Sequence, residues 1–293
     1  MRALIIGTSG QLATELRQAP LPDGIELHPS VKVDLSDAEE LEVLLERANP
    51  QLIVNAGAYT AVERAETDER AAFAVNADGP AVLARWCERR NAALVHVSTD
   101  YVFDGTKATP YVEEDATNPV NVYGASKLAG EVAVRERLQR HFILRTSWVF
   151  SAHGNNFVKT MLRLAGERDE LRVVADQRGR PTPAAELASC VWRVAAGIAA
   201  GDDGRWGTYH VAGTGVASWW EFAQAIVEEQ RPFTGRAPIV TPIDSSAFAS
   251  VVRRPATSIL DTTRFERTFG IALTPWQVGL HRVVAQLFSR PAG

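Results

Sequence analysis

The chain has 293 residues, of which 46% are hydrophobic and 23% are charged, so it can bury a large core as a globular protein. The formal net charge of −4 provides no basic surface for nucleic acid or for an acidic membrane, and we predict neither as a partner. No apolar run approaches the roughly 18 residues of a membrane span, and the apolar N-terminal stretch is too short for a signal peptide. We therefore expect a cytoplasmic protein in which Cys87 and Cys190 are buried thiols rather than a disulfide.

Compact apolar runs alternate with helical patterns through residues 1–150. The predicted strands are Arg2–Ile6, Ile25–His28, Gln51–Asn55, Ala93–Ser98 and Phe142–Ser147. Helices are predicted at Leu12–Ala19, Ala61–Arg90 and Ser126–Leu138, and the second of these is interrupted near Gly79-Pro80. A further helix is predicted between β-strands two and three; Ser36 and Glu39 form its capping box, and it ends near Ala48. This alternation indicates an α/β fold with a Rossmann-type, doubly wound parallel sheet, in which ligands bind at the carboxyl ends of the strands.

Residues 151–293 are less regular and predict a smaller lobe, mainly for substrate binding, with some segments returning to the sheet of the first domain. The predicted helices of this lobe are Phe157–Gly166, Ala184–Ala199, Trp219–Glu229 and Pro275–Ser289. Ser218 and Glu221 have the spacing of a capping box for the third of these helices.

A glycine-containing turn follows the first strand, with the sequence Gly7-Thr8-Ser9-Gly10-Gln11-Leu12-Ala13. Glycines allow backbone N–H groups to approach a pyrophosphate at the start of a helix, so residues 1–150 are predicted to bind a nicotinamide dinucleotide. No acidic residue follows the second strand to bind the adenosine ribose, which leaves the choice between NADH and NADPH open. Asp34 and Leu35 either contact the adenine or belong to the start of the next helix.

Tyr123 and Lys127 have i and i+4 spacing, so on a helix they lie on one face. An ammonium one turn from a phenol favours the phenolate, and we predict that Lys127 lowers the pKa of Tyr123 enough for proton transfer near neutral pH. Thr99 follows the fourth strand and offers a hydroxyl that can orient a substrate carbonyl. The three residues together indicate proton-transfer chemistry at the strand ends.

Longer segments around these residues resemble the dTDP-4-dehydrorhamnose reductase family of the extended short-chain dehydrogenases/reductases. The most specific are Ser98–Phe103, Arg145–Val149 and Gly154–Met161. The other matching segments are Gly7–Ala13, Val54–Val62, Val75–Ala77, Asn121–Glu131, Asp176–Thr182 and Arg254–Asp261. The chain departs from the family at Ala13, where glycine is common, and at Arg178 and Arg180, where smaller or neutral residues are frequent.

The resemblance implies roles for individual residues. Thr99, Tyr123 and Lys127 would be catalytic, with Tyr123 as the proton donor. The cofactor, NADPH or NADH, would contact Tyr123, Lys127 and residues near the strand ends, namely Gly7, Gly10, Gln11, Leu12, Asp34, Leu35, Ala58, Tyr59 and Thr60. The sugar-nucleotide substrate would contact Thr99, Asp100, Trp148, Asn156 and Arg254.

The metal requirement and the oligomeric state are less defined. Some members of the family form a magnesium-dependent homodimer built from carboxylates. In this sequence Glu186 is a single candidate, and the six histidines have no metal-binding spacing, so we assign no metal ligand. A homodimer and a Mg²⁺ requirement both stay open.

The expected reaction is the reduction of the C4 ketone of dTDP-4-dehydro-L-rhamnose, which supplies dTDP-L-rhamnose for cell-surface polysaccharide. Another nucleotide-sugar reductase or a 4-epimerase is an alternative, because both use the same fold and the same three catalytic residues. A 4,6-dehydratase would need an Asp-Glu pair after Thr99, where this chain has Asp100 and Tyr101. A non-catalytic subunit resembling the β subunit of methionine adenosyltransferase is the alternative from a different functional class.

Overall fold

The structure is a computed structural model that describes residues 1–202, 204–248, 250 and 252–289. Its strands are β1 (Arg2–Ile6), β2 (Glu26–Leu27), β3 (Leu52–Asn55), β4 (Ala93–Thr99), β5 (His141–Thr146), β6 (Val149–Phe150), β7 (Glu170–Val174), β8 (Arg178–Gly179), β9 (Thr182–Pro183), β10 (Gly207–His210), β11 (Ala217–Ser218) and β12 (Ile239–Ile243). Its α-helices are α1 (Gln11–Gln18), α2 (Ala38–Ala48), α3 (Val62–Ala65), α4 (Glu69–Phe73), α5 (Gly79–Arg90), α6 (Val122–Arg137), α7 (Phe157–Glu167), α8 (Ala184–Ala199), α9 (Trp219–Thr234), α10 (Thr263–Phe269) and α11 (Trp276–Ser289).

The central sheet contains six strands in the order β2-β1-β3-β4-β5-β10, and every neighbouring pair is parallel. The predicted doubly wound α/β fold is therefore confirmed. Successive side chains of a strand point to opposite faces, so β1 places Ala3 and Ile5 in one apolar core and Leu4 and Ile6 in the other. Helices α1 and α8 cover the first face, and α2, α5 and α6 cover the second. Burial of both faces explains the continuous apolar runs along the strands.

The second half of the chain contributes to the sheet and also forms a separate apolar cluster. Strand β10 pairs with β5 at the sheet edge, with Tyr209 opposite Leu144. Helices α7, α9 and α11 pack around a third cluster that includes Met161, Phe222 and Leu280. Among the described residues, no helix is both long enough and apolar enough to span a membrane.

Two predicted helix starts were wrong. The proposed Ser36–Glu39 capping box does not form, because Asp37 caps α2 and accepts hydrogen bonds from the backbone N–H groups of Glu39 and Glu40. The Ser36 hydroxyl instead donates to Asp34 at 2.7 Å. Helix α6 begins at Val122 rather than at Ser126, with Asn121 as its N-cap. In both cases a carboxylate or amide side chain near the expected start accepts hydrogen bonds from the backbone N–H groups of the first turn.

Other local predictions were correct. The Ser218 hydroxyl accepts a hydrogen bond from the Glu221 backbone, and the Glu221 carboxylate accepts one from Ser218 N–H, so the capping box of α9 forms. Cys87 and Cys190 are free and buried thiols. The long helical region after β3 divides into α3, α4, a π-helical turn over Ala74–Asp78 and α5, so its interruption is larger than predicted.

Candidate active site

A cavity of about 700 Å³ opens at the carboxyl ends of β1, β3, β4 and β5. The parallel register places Thr99 opposite Thr146 at this edge, as expected for ligand sites in doubly wound sheets. The lining contains most of the predicted site residues, namely Gly7, Gly10, Gln11, Leu12, Ala58, Thr60, Thr99, Asp100, Tyr123, Lys127 and Trp148. It also contains residues that had no predicted role, among them Val97, Gly154 and Leu187. Asp34, Leu35, Tyr59, Asn156 and Arg254 lie outside the lining.

The turn after β1 has the shape that a pyrophosphate requires. Gly7 has φ +107°, and a Cβ there would come within 3.2 Å of Gly57 N. Gly10 precedes α1 in an extended conformation, and a Cβ at Gly10 would meet no atom within 4 Å, so space remains beside the helix N-terminus. Arg17 reaches back from α1 and donates to Gly7 O at 2.6 Å and to Ala13 O at 3.0 Å. The turn therefore fits a dinucleotide, and Arg17 fixes its backbone.

A second wall of the cavity follows β3. Asn76 holds the backbone of Tyr59 at both ends, accepting from its N–H at 2.8 Å and donating to its carbonyl at 3.0 Å. Asn76 also donates to the Ser126 hydroxyl at 3.0 Å, which ties this wall to α6. Asn76 lies in the π-helical turn, and sequence reasoning had not assigned it a role. Its contacts position Ala58 and Thr60, which do line the cavity.

Asp34 and Leu35 have structural contacts beside this wall. Hydrogen bonds from the Ser36 side chain and backbone lower the pKa of the Asp34 carboxyl. Leu35 is buried, and a Cβ on Gly57 would come within 2.6 Å of its Cδ1 atom. Leu35 therefore packs against Gly57, and a contact of Asp34 or Leu35 with the adenine stays a prediction.

The first turn of α6 brings Tyr123 and Lys127 to the cavity. Asn121 caps this turn by accepting from Gly124 N–H at 2.8 Å, and a Cβ on Gly124 would lie 2.2 Å from Tyr101 O. Only glycine therefore allows the helix to approach so closely. Lys127 is buried and donates to Val97 O at 2.7 Å.

The predicted effect of Lys127 on Tyr123 is wrong for this structure. Burial raises the pKa of Tyr123 to about 12, against a smaller lowering effect from its hydrogen bond with Thr99. Burial lowers the pKa of Lys127 to about 8, and the nearby Glu131 carboxylate opposes that shift. Lys127 is not among the groups that shift the pKa of Tyr123, and its ammonium donates to the Val97 carbonyl. Tyr123 therefore keeps its proton at neutral pH.

Thr99 connects Tyr123 to a buried acid. Its hydroxyl donates to Asp100 Oδ1 at 3.1 Å and accepts from Tyr101 N–H at 3.2 Å. Asp100 is buried, and burial raises the pKa of its carboxyl to about 7, although hydrogen bonds with Ser258 and Thr99 act in the opposite direction. The cavity therefore contains a carboxyl group that changes charge near neutral pH.

A buried ion pair lies one turn beyond Lys127 on α6. Arg145 of β5 donates from Nε to Glu131 Oε1 at 2.9 Å and from Nη2 to Oε2 at 2.7 Å. The two side chains are 2% and 0% exposed. The i+4 spacing of Glu131 from Lys127 could have indicated that Glu131 lies on the same face of α6. Spacing could not have identified Arg145 on β5 as its partner.

The remaining predicted substrate residues differ in their surroundings. Trp148 has φ +48°, and its ring stacks on Trp219 with a centroid distance of 3.5 Å and an interplanar angle of 7°. Asn156 caps α7 by accepting from Lys159 N–H at 3.1 Å, whereas its neighbour Asn155 lines the cavity. Arg254 forms an ion pair with Glu63.

Other polar groups of the cavity bear on its ligands. Within the described part of the chain, the buried Ser98 and Thr146 hydroxyls have no hydrogen-bond partner, so both are available to a ligand. The described residues contain no cluster of three or more His, Cys, Asp or Glu side chains arranged to hold a metal ion. The cavity thus offers hydroxyls, an ammonium and a glycine turn, which suit an organic cofactor with phosphate groups.

Comparison with known proteins identifies the family. The family described as RmlD substrate binding domain matches residues 1–289. The chain is 43% identical to the dTDP-4-dehydrorhamnose reductase of Burkholderia thailandensis, across 99% of this chain and 100% of that protein. It is 39% identical to the enzyme of the same name from Escherichia coli K12, across 100% of both chains.

Solved structures agree with the sequence comparison. A dTDP-4-dehydrorhamnose reductase from Bacillus anthracis in complex with NADP is similar with a TM-score of 0.88 and 35% identity, over 97% of this chain and 99% of that one. A UDP-glucose 4-epimerase from Brucella ovis has a TM-score of 0.77 at 18% identity, over 98% of both chains, and this similarity shows the fold alone. The chain therefore belongs to the dTDP-4-dehydrorhamnose reductase family.

Proposed function

We propose that this protein reduces the C4 ketone of dTDP-4-dehydro-L-rhamnose to dTDP-L-rhamnose, with NADPH or NADH as the reductant. The main support is a single cavity that contains the glycine turn at Gly7 and Gly10 together with Thr99, Tyr123 and Lys127. Full-length identity of about 40% to named reductases supports the same activity. The product would serve the synthesis of cell-surface polysaccharide.

Tyr123 is suited to the proton-donating step. A reduced nicotinamide cofactor, when bound, supplies the hydride that adds to C4 of the ketone. The ketone oxygen then needs a proton, and Tyr123 carries one at neutral pH because burial raises its pKa to about 12. The hydrogen bond between Thr99 and Tyr123 places the Thr99 hydroxyl where it can also orient the ketone oxygen.

Lys127 serves a separate purpose in this proposal. Its ammonium is anchored on Val97 O at 2.7 Å and lines the cavity, so it can donate to a ribose hydroxyl while remaining positioned by β4. Gly7, Gly10, Gln11 and Leu12 would hold the pyrophosphate through backbone N–H groups at the start of α1. Ala58 and Thr60 would form the opposite wall for the cofactor, with Tyr59, Asp34 and Leu35 supporting it from outside the lining.

Asp100 and Trp148 would contact the sugar nucleotide from the other end of the cavity. Asn156 would contribute indirectly, since its side chain donates to Gln11 Oε1 at 2.9 Å and connects α7 to the cofactor turn. Arg254 would reach the diphosphate only by exchanging its partner Glu63 for phosphate oxygens, which an arginine can bind through two N–H groups.

A product analysis tests the proposed reaction. The purified protein is incubated with dTDP-4-dehydro-L-rhamnose and with NADPH or NADH, and the product is identified by NMR. We expect dTDP-L-rhamnose with both cofactors, because no acidic residue follows β2 to reject a 2′-phosphate. An epimerised keto sugar without net oxidation of the cofactor would support a 4-epimerase instead. Co-purification of a catalytic partner without reductase turnover would support a regulatory subunit.

The same preparation tests the oligomeric state and the Mg²⁺ requirement. Sedimentation would show whether the protein is a homodimer, and turnover with EDTA would show whether it requires Mg²⁺. A cytoplasmic location also stays a prediction, to be tested by cell fractionation.

A further inference from the structure

Gly179 lies against the indole ring of Trp148. A Cβ added at Gly179 would come within 2.6 Å of Trp148 Cε2, 2.7 Å of Nε1 and 2.9 Å of Cζ2. Carbon atoms in contact are normally about 3.5 Å or more apart, so no residue other than glycine fits here unless the ring moves. Gly179 is buried, and its φ lies outside the left-handed region, so the requirement for glycine arises from packing rather than from backbone conformation.

Trp219 stacks on the same ring. The two indoles stack with centroids 3.5 Å apart and an interplanar angle of 7°. A Cβ on Gly179 would meet Cε2, Nε1 and Cζ2, which are consecutive atoms of the Trp148 ring. Trp148, which lines the cavity, is therefore held by close contacts with both Gly179 and Trp219.

Two paired strands position Gly179 and Trp219. Strand β8 pairs with β11 so that Gly179 lies opposite Ala217, and α9 begins directly after β11 with Trp219. Trp148 itself is held by Thr182, whose N–H donates to Trp148 O at 3.1 Å. Trp148 also has φ +48°, which is costly for a residue with a large side chain and persists only where the surroundings enforce it.

We propose that Gly179 is a positioning residue that determines where the Trp148 ring meets the sugar nucleotide. This inference rests on the proposed function, because the contact between Trp148 and the substrate is part of that proposal. To relieve the clash that a Cβ at Gly179 would create, the ring would have to move away from Gly179 by about 1 Å. A displacement of that size at a substrate-contacting group can reduce the rate by about 100-fold.

The test uses four proteins and one control. The proteins are the wild type, Gly179→Ala, Trp148→Ala and the double variant. Gly166→Ala is the control, because Gly166 is exposed in α7 and a Cβ there would meet no atom within 4 Å. We measure kcat and KM for dTDP-4-dehydro-L-rhamnose, Kd for NADPH, and thermal unfolding. A crystal structure of Gly179→Ala reports the distance between the rings of Trp148 and Trp219.

We expect Gly179→Ala to lower kcat/KM by between about tenfold and 100-fold, with Kd for NADPH changed less than about twofold. The ring distance should change from 3.5 Å. In the Trp148→Ala background the close contact is gone, so adding Gly179→Ala should have no further effect on kcat/KM. Gly166→Ala should match the wild type in kcat, KM and Kd, and its thermal unfolding should be unchanged or slightly higher, because alanine favours a helix more than glycine does. If Trp148→Ala does not fold, the smaller ring of Trp148→Phe replaces it in the cycle.

An effect of Gly179→Ala that is equally large with and without the Trp148 indole would overturn the inference. Unchanged kinetics of Gly179→Ala in an active wild-type background would also overturn it and leave the proposed function intact. Failure of the proposed function is distinguishable, because the wild type would then show no turnover of this substrate.

Discussion

Replacing Asp100 by asparagine should make the protein more stable, and the gain should depend on pH. Asp100 is 2% exposed at the end of β4, and burial raises the pKa of its carboxyl to about 7. Asparagine has nearly the same shape and can accept the same hydrogen bond from Thr99, but it carries no charge. The substitution therefore removes the cost of burying a carboxylate while retaining the local packing.

The size and sign of the effect follow from the difference between the folded and unfolded pKa values. In the unfolded chain an aspartic acid has a pKa of about 3.9, whereas the pKa of Asp100 is about 7 in the folded protein. The folded state binds the extra proton between these values, so wild-type stability is fully present below about pH 4 and falls as pH rises through 7. Three pH units at about 1.36 kcal/mol per unit limit the total loss to about 4 kcal/mol.

Urea unfolding between pH 4 and pH 8 measures this difference directly. Asp100→Asn should match the wild type near pH 4 and gain stability relative to it as pH rises, up to about 4 kcal/mol at pH 8. Asp104→Asn is a matched control in the same loop with the opposite sign. Hydrogen bonds from Thr106 and Tyr111 lower the pKa of Asp104 to about 2, so its contribution is present at neutral pH and lost in acid. An advantage of Asp100→Asn that is equal at pH 5 and pH 8 would refute the reasoning.

Four further predictions concern catalysis, the buried ion pair and substrate binding. Tyr123→Phe should reduce kcat by about 10²–10⁴-fold with unchanged cofactor affinity, and a folded, fully active variant in steady-state assays would exclude Tyr123 as proton donor. The affinity of the wild type for its cofactor should weaken as pH rises through about 8, because Lys127 loses its charge there. Lys127→Ala should bind the cofactor weakly at every pH and lack this pH dependence, and fluorescence titration measures both. Glu131→Gln should destabilise the fold by about 3–5 kcal/mol in urea, because Arg145 is left as a buried unpaired charge, and adding Arg145→Met should recover much of that loss. Arg254→Ala should raise KM for the sugar nucleotide with little change in cofactor affinity, and an unchanged KM would restrict Arg254 to its ion pair with Glu63.

Much of the sheet could be predicted because its signals are local. Strand β1 occupies the predicted Arg2–Ile6, since an apolar run between polar segments is the pattern of a strand buried on both faces. The i, i+4 spacing of Tyr123 and Lys127 correctly predicted that both face one cavity. The starts of α2 and α6 were less predictable, because Asp37 and Asn121 compete with neighbouring polar residues for the same backbone donors.

The contacts that support the site are long-range, so residue spacing could not reveal them. Glu131 of α6 meets Arg145 of β5, and Gly179 of β8 meets Trp148 in the link between β5 and β6. Asn76 holds Tyr59 from a π-helical turn whose sequence has no distinctive pattern. Each of these contacts depends on how complete elements pack, which local propensity does not determine.

The pKa of Tyr123 shows why packing also decides the chemistry. Helical spacing places Lys127 one turn away, which favours a lower phenol pKa, but the pKa depends equally on how deeply the phenol is buried and on what the ammonium contacts. Here the Lys127 ammonium donates to Val97 O, and burial of the phenol raises the pKa of Tyr123 to about 12. At neutral pH the phenol is therefore protonated, as the proposed proton donor to the ketone oxygen must be, but the raised pKa also makes it a weaker acid than an exposed tyrosine.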